Sequence, residues 1–136
     1  MLKYLITYLG AGLTVAALDL SYIALVGQRV YRPLLDYALA DAPKLPAAVA
    51  FYLVYLLGVL LLAVLPNRNA SVAKVAVTGA MLGAMCYATY DLTNQATLKV
   101  WATRITLIDI CWGTFLTATG ATVGLLVWRW ASKTFP

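Results

Sequence analysis

Three aspartates carry most of the chemistry this sequence has to offer. Asp19 lies towards the end of the first apolar run, Asp91 at the end of the third and Asp109 near the start of the fourth. Oxygen-bearing and aromatic residues surround them. Tyr22 follows Asp19 by three positions, Tyr87, Tyr90 and Asn94 flank Asp91 in YATYDLTNQATL (Tyr87–Leu98), and Trp112 and Gly113 follow Asp109 in DICWGT. Carboxylate, amide and phenol oxygens are hard ligands that suit Na⁺, Mg²⁺ or Ca²⁺. Acids crowded in a low dielectric repel one another, so a shared proton is the other chemistry such a group supports. All five acids are Asp, and His is absent. No GxGxxG, P-loop or HExxH motif occurs, so no catalytic residue and no cofactor is assigned.

These residues need a scaffold made for lipid. Of 136 residues 63% are hydrophobic and only 11% charged, too much apolar surface for one soluble core of this size. Four runs approach the roughly 20 residues a helix needs to cross a bilayer. The expected fold is an all-α integral membrane protein, a single domain over 1–136 with four transmembrane helices in two hairpins forming a compact bundle. The spans are expected near 4–26, 47–65, 72–92 and 105–128, with the third continuing helically past Asn94. Between the first two spans, 33–39 could form a short interfacial helix with Leu34, Leu35 and Leu39 facing lipid. The N-terminal run is too long for a signal-peptide core and reads as a retained helix.

Alternating topology brings the three acids to one depth. Spans one and three run the same way and span four the opposite way, so Asp19, Asp91 and Asp109 all lie towards the face that carries loops one and three. Three- and four-residue steps give each acid neighbours on its own helix face. Tyr8, Gly12, Val15 and Tyr22 accompany Asp19, Thr97 extends the face of Asp91, and Thr106 and Gly113 align with Asp109. Tyr52 and Tyr55 join from the start of span two. An Asp at the bilayer centre costs ~2.5–3.5 kcal/mol on insertion scales, and less towards the interface. Turning all three inward, where phenols, Asn94 and shared protons satisfy them, is the cheaper arrangement. The expected site is therefore a polar pocket near one membrane surface.

Small residues suit such packing. Gly79 and Gly83 form GxxxG, and Gly113, Thr117, Gly120 and Gly124 make a second flat stripe. Either stripe would pack within the bundle or against a second copy in a homo-oligomer. Blander readings stand beside the pocket: an acid could pair with Arg29, Lys99 or Arg104, and tyrosines near span ends often only anchor the helix at the interface. LDLSY (Leu18–Tyr22) and YDLTN (Tyr90–Asn94) echo each other as a degenerate repeat. Cys86 and Cys111, isolated and without His, form no metal or redox motif.

The net charge is +5, but the basic residues fall singly between apolar runs, so no nucleic-acid partner is expected. Five basic residues lie on each side, which gives no positive-inside signal. Cytoplasmic termini are the working expectation.

ALDLSY, FYLVYLLG, YATYDLTNQATL and DICWGT together resemble the small bacterial membrane proteins grouped as the domain-of-unknown-function 2177 family. The resemblance covers nearly the whole chain, and YDLTN and DxxWGT are its most specific parts. It implies a four-span protein of the bacterial inner membrane with no assigned activity, and it draws notice to Asp19, Tyr90, Asp91, Asn94, Asp109, Trp112 and Gly113.

Three functions compete. The first is a pocket that binds or conducts a small cation or proton; four short spans without a broken helix give little machinery for alternating access. The second is a lipid-binding or lipid-modifying enzyme or its accessory subunit, with basic residues at the rim to hold phosphate. The third is a structural or assembly protein whose polar cluster only fixes helix register.

Overall fold

A computed structural model describes residues 1–35, 40 and 42–135 of the chain. Backbone amides in hydrocarbon have no water to bond, so an unpaired segment must cross as a helix. Four helical stretches are long and apolar enough to do so: Leu2–Gly27, Leu45–Val64, Val72–Thr97 and Thr103–Thr134. The chain is an all-α, multi-pass membrane protein.

The first stretch begins as α1 (Leu2–Tyr22) and continues without a break into a π-helical segment (Ile23–Tyr31) and then α2 (Arg32–Leu35). The second is α3 (Leu45–Gly58), with Pro46 in its first turn, where the missing N–H is not needed. It passes into a second π-helical segment (Val59–Val64). A tight turn follows, held by Asn67, whose amide donates to the Ala63 carbonyl at 3.0 Å. The Ser71 hydroxyl then caps α4 (Val72–Thr97) by accepting from the Lys74 amide at 3.2 Å. The last helix, α5 (Thr103–Thr134), is the longest.

α5 is the spine of the bundle. α4 lies along it, α1 packs on another side, and the second π-helical segment fits against both α4 and α5. α1 touches α5 more extensively than it touches α3, its partner in the first hairpin.

The seam between α4 and α5 is built at four-residue steps. Gly79, Gly83, Tyr87, Asp91 and Gln95 form one stripe along α4. A methyl group added at Gly79 would stand 2.8 Å from both the Ala121 Cβ and the Thr117 carbonyl. One added at Gly83 would run into the Gly113 carbonyl and the Thr117 side chain, and Gly113 in turn leaves room for the Tyr87 ring. At the far end the Thr106 hydroxyl donates to the Gln95 amide oxygen at 2.7 Å, and the Trp101 indole donates to Thr106 at 2.9 Å. Gly120 and Gly124 face elsewhere: Val15 of α1 meets the first, and Val64 and Ala11 meet the second. Both small-residue stripes are thus occupied by neighbours within the chain.

Opposite the inner faces, Leu13, Leu25, Val54 and Met81 are 72%, 67%, 71% and 68% exposed, an apolar surface made for acyl chains. At the end carrying the termini, the Arg129 guanidinium donates to the Ala70 carbonyl at 2.5 Å, and the Lys3 ammonium lies 5.8 Å from the Trp128 ring centre.

Loop one differs from expectation. GQRVY belongs to the π-helical segment, so the first helix runs on past 26 instead of ending there. Leu35 does not face lipid: it is only 7% exposed, because Gly27, Tyr31 and Leu35 follow one another at four-residue steps on the inner side of the continuing helix. Residues 36–39, which complete the expected interfacial helix, lie outside the described residues.

The seam makes a prediction. Gly83→Ala should destabilise the protein by roughly 1–3 kcal/mol through overpacking, while Gly58→Ala, with nothing within 4 Å of its added methyl, should be neutral or slightly stabilising. Unfolding in mixed detergent micelles measures both.

Candidate functional site

A carboxylate among helices must find donors, and Asp19 finds two. The Tyr52 hydroxyl donates to its Oδ2 at 2.6 Å and the Trp112 indole donates to its Oδ1 at 3.1 Å. These bonds tie α1 to α3 and α5. Asp19 is buried, 8% exposed, directly above an apolar cluster of Val15, Leu56 and Leu116. Tyr55, one turn beyond Tyr52, bonds instead to the Thr117 hydroxyl, which donates to the Gly113 carbonyl at 2.6 Å.

Above Asp19 the winding of the first helix matters. Nine residues of α-helix make about two and a half turns and would leave Tyr22 and Tyr31 on opposite faces. The wider π-helix takes more residues per turn, so the same nine make about two turns. The two phenols accordingly meet, with oxygens 3.1 Å apart. On its other side the Tyr22 ring stacks on Trp112, with centroids 4.1 Å apart and planes 7° from parallel. Trp112 therefore fixes both the acid and the aromatic residue one turn above it.

These residues surround an open cavity of about 720 Å³. Six of the site residues expected from sequence line it: Asp19, Tyr22, Tyr87, Tyr90, Asp109 and Trp112. Asp109 and Asp19 are close enough to feel each other's charge. Among the described residues, Asp109 has no hydrogen-bond or ion-pair partner, and neither Arg29, Lys99 nor Arg104 is paired with any of the three acids. α5 is about 48 Å long at 1.5 Å per residue, so, centred on a hydrocarbon core of ~30 Å, it would project ~9 Å at each end. Asp109 lies six residues in from the start of α5, at about that boundary. Centred in that way, the cavity would lie near the boundary between lipid chains and headgroups.

Five expected residues stand outside it. Tyr52 supports Asp19 from behind, Tyr55 lies deeper, Gly113 serves as the floor for Tyr87, and Asn94 does not line the cavity. Asp91 is the substantive departure. The α4–α5 register sets Gly83 against Thr117 and Tyr87 against Gly113, which puts Asp91 level with Asp109. Yet the stripe turns Asp91 into the seam, where it is fully buried and neither oxygen has a hydrogen-bond partner among the described residues. It lies within electrostatic range of Tyr22 but lines none of the cavity.

Sequence reasoning missed Tyr31, Arg32, Gly27 and Phe51, which also line the cavity. Phe51 had a usable signal, standing next to Tyr52 at the start of an apolar run. Tyr31 had none, because α-helical spacing turns it away. Among the described residues no three Asp or Cys side chains come together closely enough to hold a metal ion.

Two substitutions separate the acids. Tyr52→Phe should cost about 1–3 kcal/mol, since it strips a donor from a buried carboxylate. Asp91→Asn should leave stability unchanged or raise it, since no hydrogen bond is lost. Unfolding in detergent reads both, and an equal loss at the two positions would contradict the difference described.

Comparison with known proteins adds one match. Residues 4–126 fit the family model described as "Predicted membrane protein (DUF2177)". No curated protein and no solved structure matches the chain. With nearly its whole length matched, from the first apolar run to the last turns of α5, the chain belongs to the DUF2177 family of membrane proteins.

Proposed function

We propose that the protein binds a small cation in the cavity between Asp19 and Asp109, close to one membrane surface. The observation that carries this reading is electrostatic. Two carboxyls face one cavity, and no basic side chain among the described residues is paired with either. Arg32 lines the same cavity without forming an ion pair with either acid, and carboxylates unpaired at the edge of hydrocarbon are costly, a cost that a bound cation relieves.

Binding is favoured over conduction by what lies below. Val15, Leu56 and Leu116 close the interior beneath Asp19, and Val59, Ala63, Val64, Val75 and Leu125 continue the apolar fill. Tyr52, Tyr55 and Thr117, the polar side chains next to this fill, are bonded to Asp19, to one another or to backbone, which supports a receptacle on one face.

The test is thermal unfolding of the purified protein in detergent, across chloride salts of Na⁺, K⁺, Mg²⁺, Ca²⁺ and small ammonium ions at constant ionic strength. A ligand at about 100 times its Kd adds ~2.7 kcal/mol of stability, which a shift in Tm reveals. At least one cation should stabilise the native protein, and Asp109→Asn should remove the effect while still folding, because Asp109 holds no other side chain in place. Identical unfolding in every salt, for both proteins, would overturn the reading and leave the polar cluster with a purely structural role.

A further inference from the structure

We infer that the cation is an organic ammonium ion, held over aromatic rings in the cavity and by the charges of Asp19 and Asp109. This rests on the cation reading above and names the class of ligand.

The first ground is ligand supply. A metal ion needs several oxygens at about 2.0–2.6 Å. Both Asp19 oxygens are already engaged, by Tyr52 and Trp112, so that this carboxylate is oriented by the fold and not free to wrap around an ion. Among the described residues, Asp109 is the one carboxylate left open to the cavity, and Asp91 is turned away into the seam. The charges persist, but among the described residues no coordination sphere forms around them. A diffuse cation that asks for field and not for short oxygen contacts suits this arrangement.

The second ground is the wall. Tyr22, Tyr31, Phe51, Tyr87, Tyr90 and Trp112 line the cavity together, and alkylammonium groups bind to ring faces through the quadrupole of the π system. Each ring at a partly solvated site contributes a factor of roughly 2–5 in affinity. The third ground is size. At about 720 Å³ the cavity falls in the range of small-molecule sites, roughly 300–1,000 Å³, and far exceeds what a bare metal ion would fill.

Arg32, also on the lining, separates two sources of such a ligand. It repels a free ammonium, but it would attract the phosphate that stands beside the ammonium in a phospholipid headgroup. The location of the cavity at the boundary of the hydrocarbon suits either source.

The experiment is calorimetric titration of the protein in detergent with choline chloride, tetramethylammonium chloride, NaCl and MgCl₂ at constant ionic strength. Choline and tetramethylammonium should compete with each other and bind at least about tenfold more tightly than Na⁺ or Mg²⁺. Phe51 is 46% exposed, so Phe51→Leu should fold normally. It should weaken both ammonium ions by roughly 2–5-fold and leave Na⁺ unaffected. A short-chain phosphatidylcholine, below its micelle concentration, tests the source. If the headgroup is the ligand, Arg32→Gln weakens this lipid while tightening free choline; if a free ammonium is the ligand, both tighten or the lipid fails to bind. Na⁺ or Mg²⁺ binding as tightly as choline, with no response to Phe51→Leu, would overturn the inference and leave the wider cation reading intact. Absence of binding by all four salts, and by KCl and CaCl₂ in the same titration, would remove both.

Discussion

The rest of the structure depends on how closely the backbones of α4 and α5 approach. Gly79 and Gly83 put no side chain of α4 between the two helices where they meet Thr117, Ala121 and the Gly113 carbonyl. In lipid there is no hydrophobic gain from bringing apolar helices together, so dispersion over bare backbone has to hold them. That contact also fixes register. Once Gly83 lies against Thr117, Tyr87 must lie over Gly113 and Asp91 must come level with Asp109. The cavity inherits its dimensions from a contact several turns away. Gln95 and Thr106 close the same seam at its other end, so neither helix can slide without breaking a polar bond.

On that frame the polar residues divide into support and surface. Trp112 is the clearest support, donating to Asp19 while stacking on Tyr22, and it comes from the helix that every other span contacts. Tyr52 completes the cradle from α3. Charge and aromatic surface are thus presented together by residues whose own positions are fixed from behind, the condition under which a site can be selective. Asp109 differs in having no such cradle among the described residues, which leaves its carboxyl available.

The two π-helical segments show how a membrane helix can change which residues face inward without breaking. In the second, Val59, Leu60, Ala63 and Val64 all become buried against α5 and its neighbours. In the first, the wider turn brings Gly27 and Tyr31 round to the side of Tyr22 and gives the cavity an upper wall. Interrupting a span with a loop would expose unpaired amides, whereas widening the helix keeps each one bonded.

The sequence by itself determined the class of protein, the four spans and the depth of the three acids. Those follow from the length of apolar runs and the cost of charge in hydrocarbon, and both are local properties. It also grouped Asp19, Tyr22, Tyr87, Tyr90, Asp109 and Trp112, which line one cavity, because α-helical steps hold over those stretches. What only the tertiary structure decided was which side each remaining group faces. Asp91 goes to the seam because the glycine stripe of α4 passes through it. Tyr31 enters the cavity because the helix widens there, and Asp19 is committed to Tyr52 and Trp112 because α3 and α5 arrive at its level. Facing directions depend on contacts between helices and on the pitch within them, and neither is written in the spacing of residues along one chain.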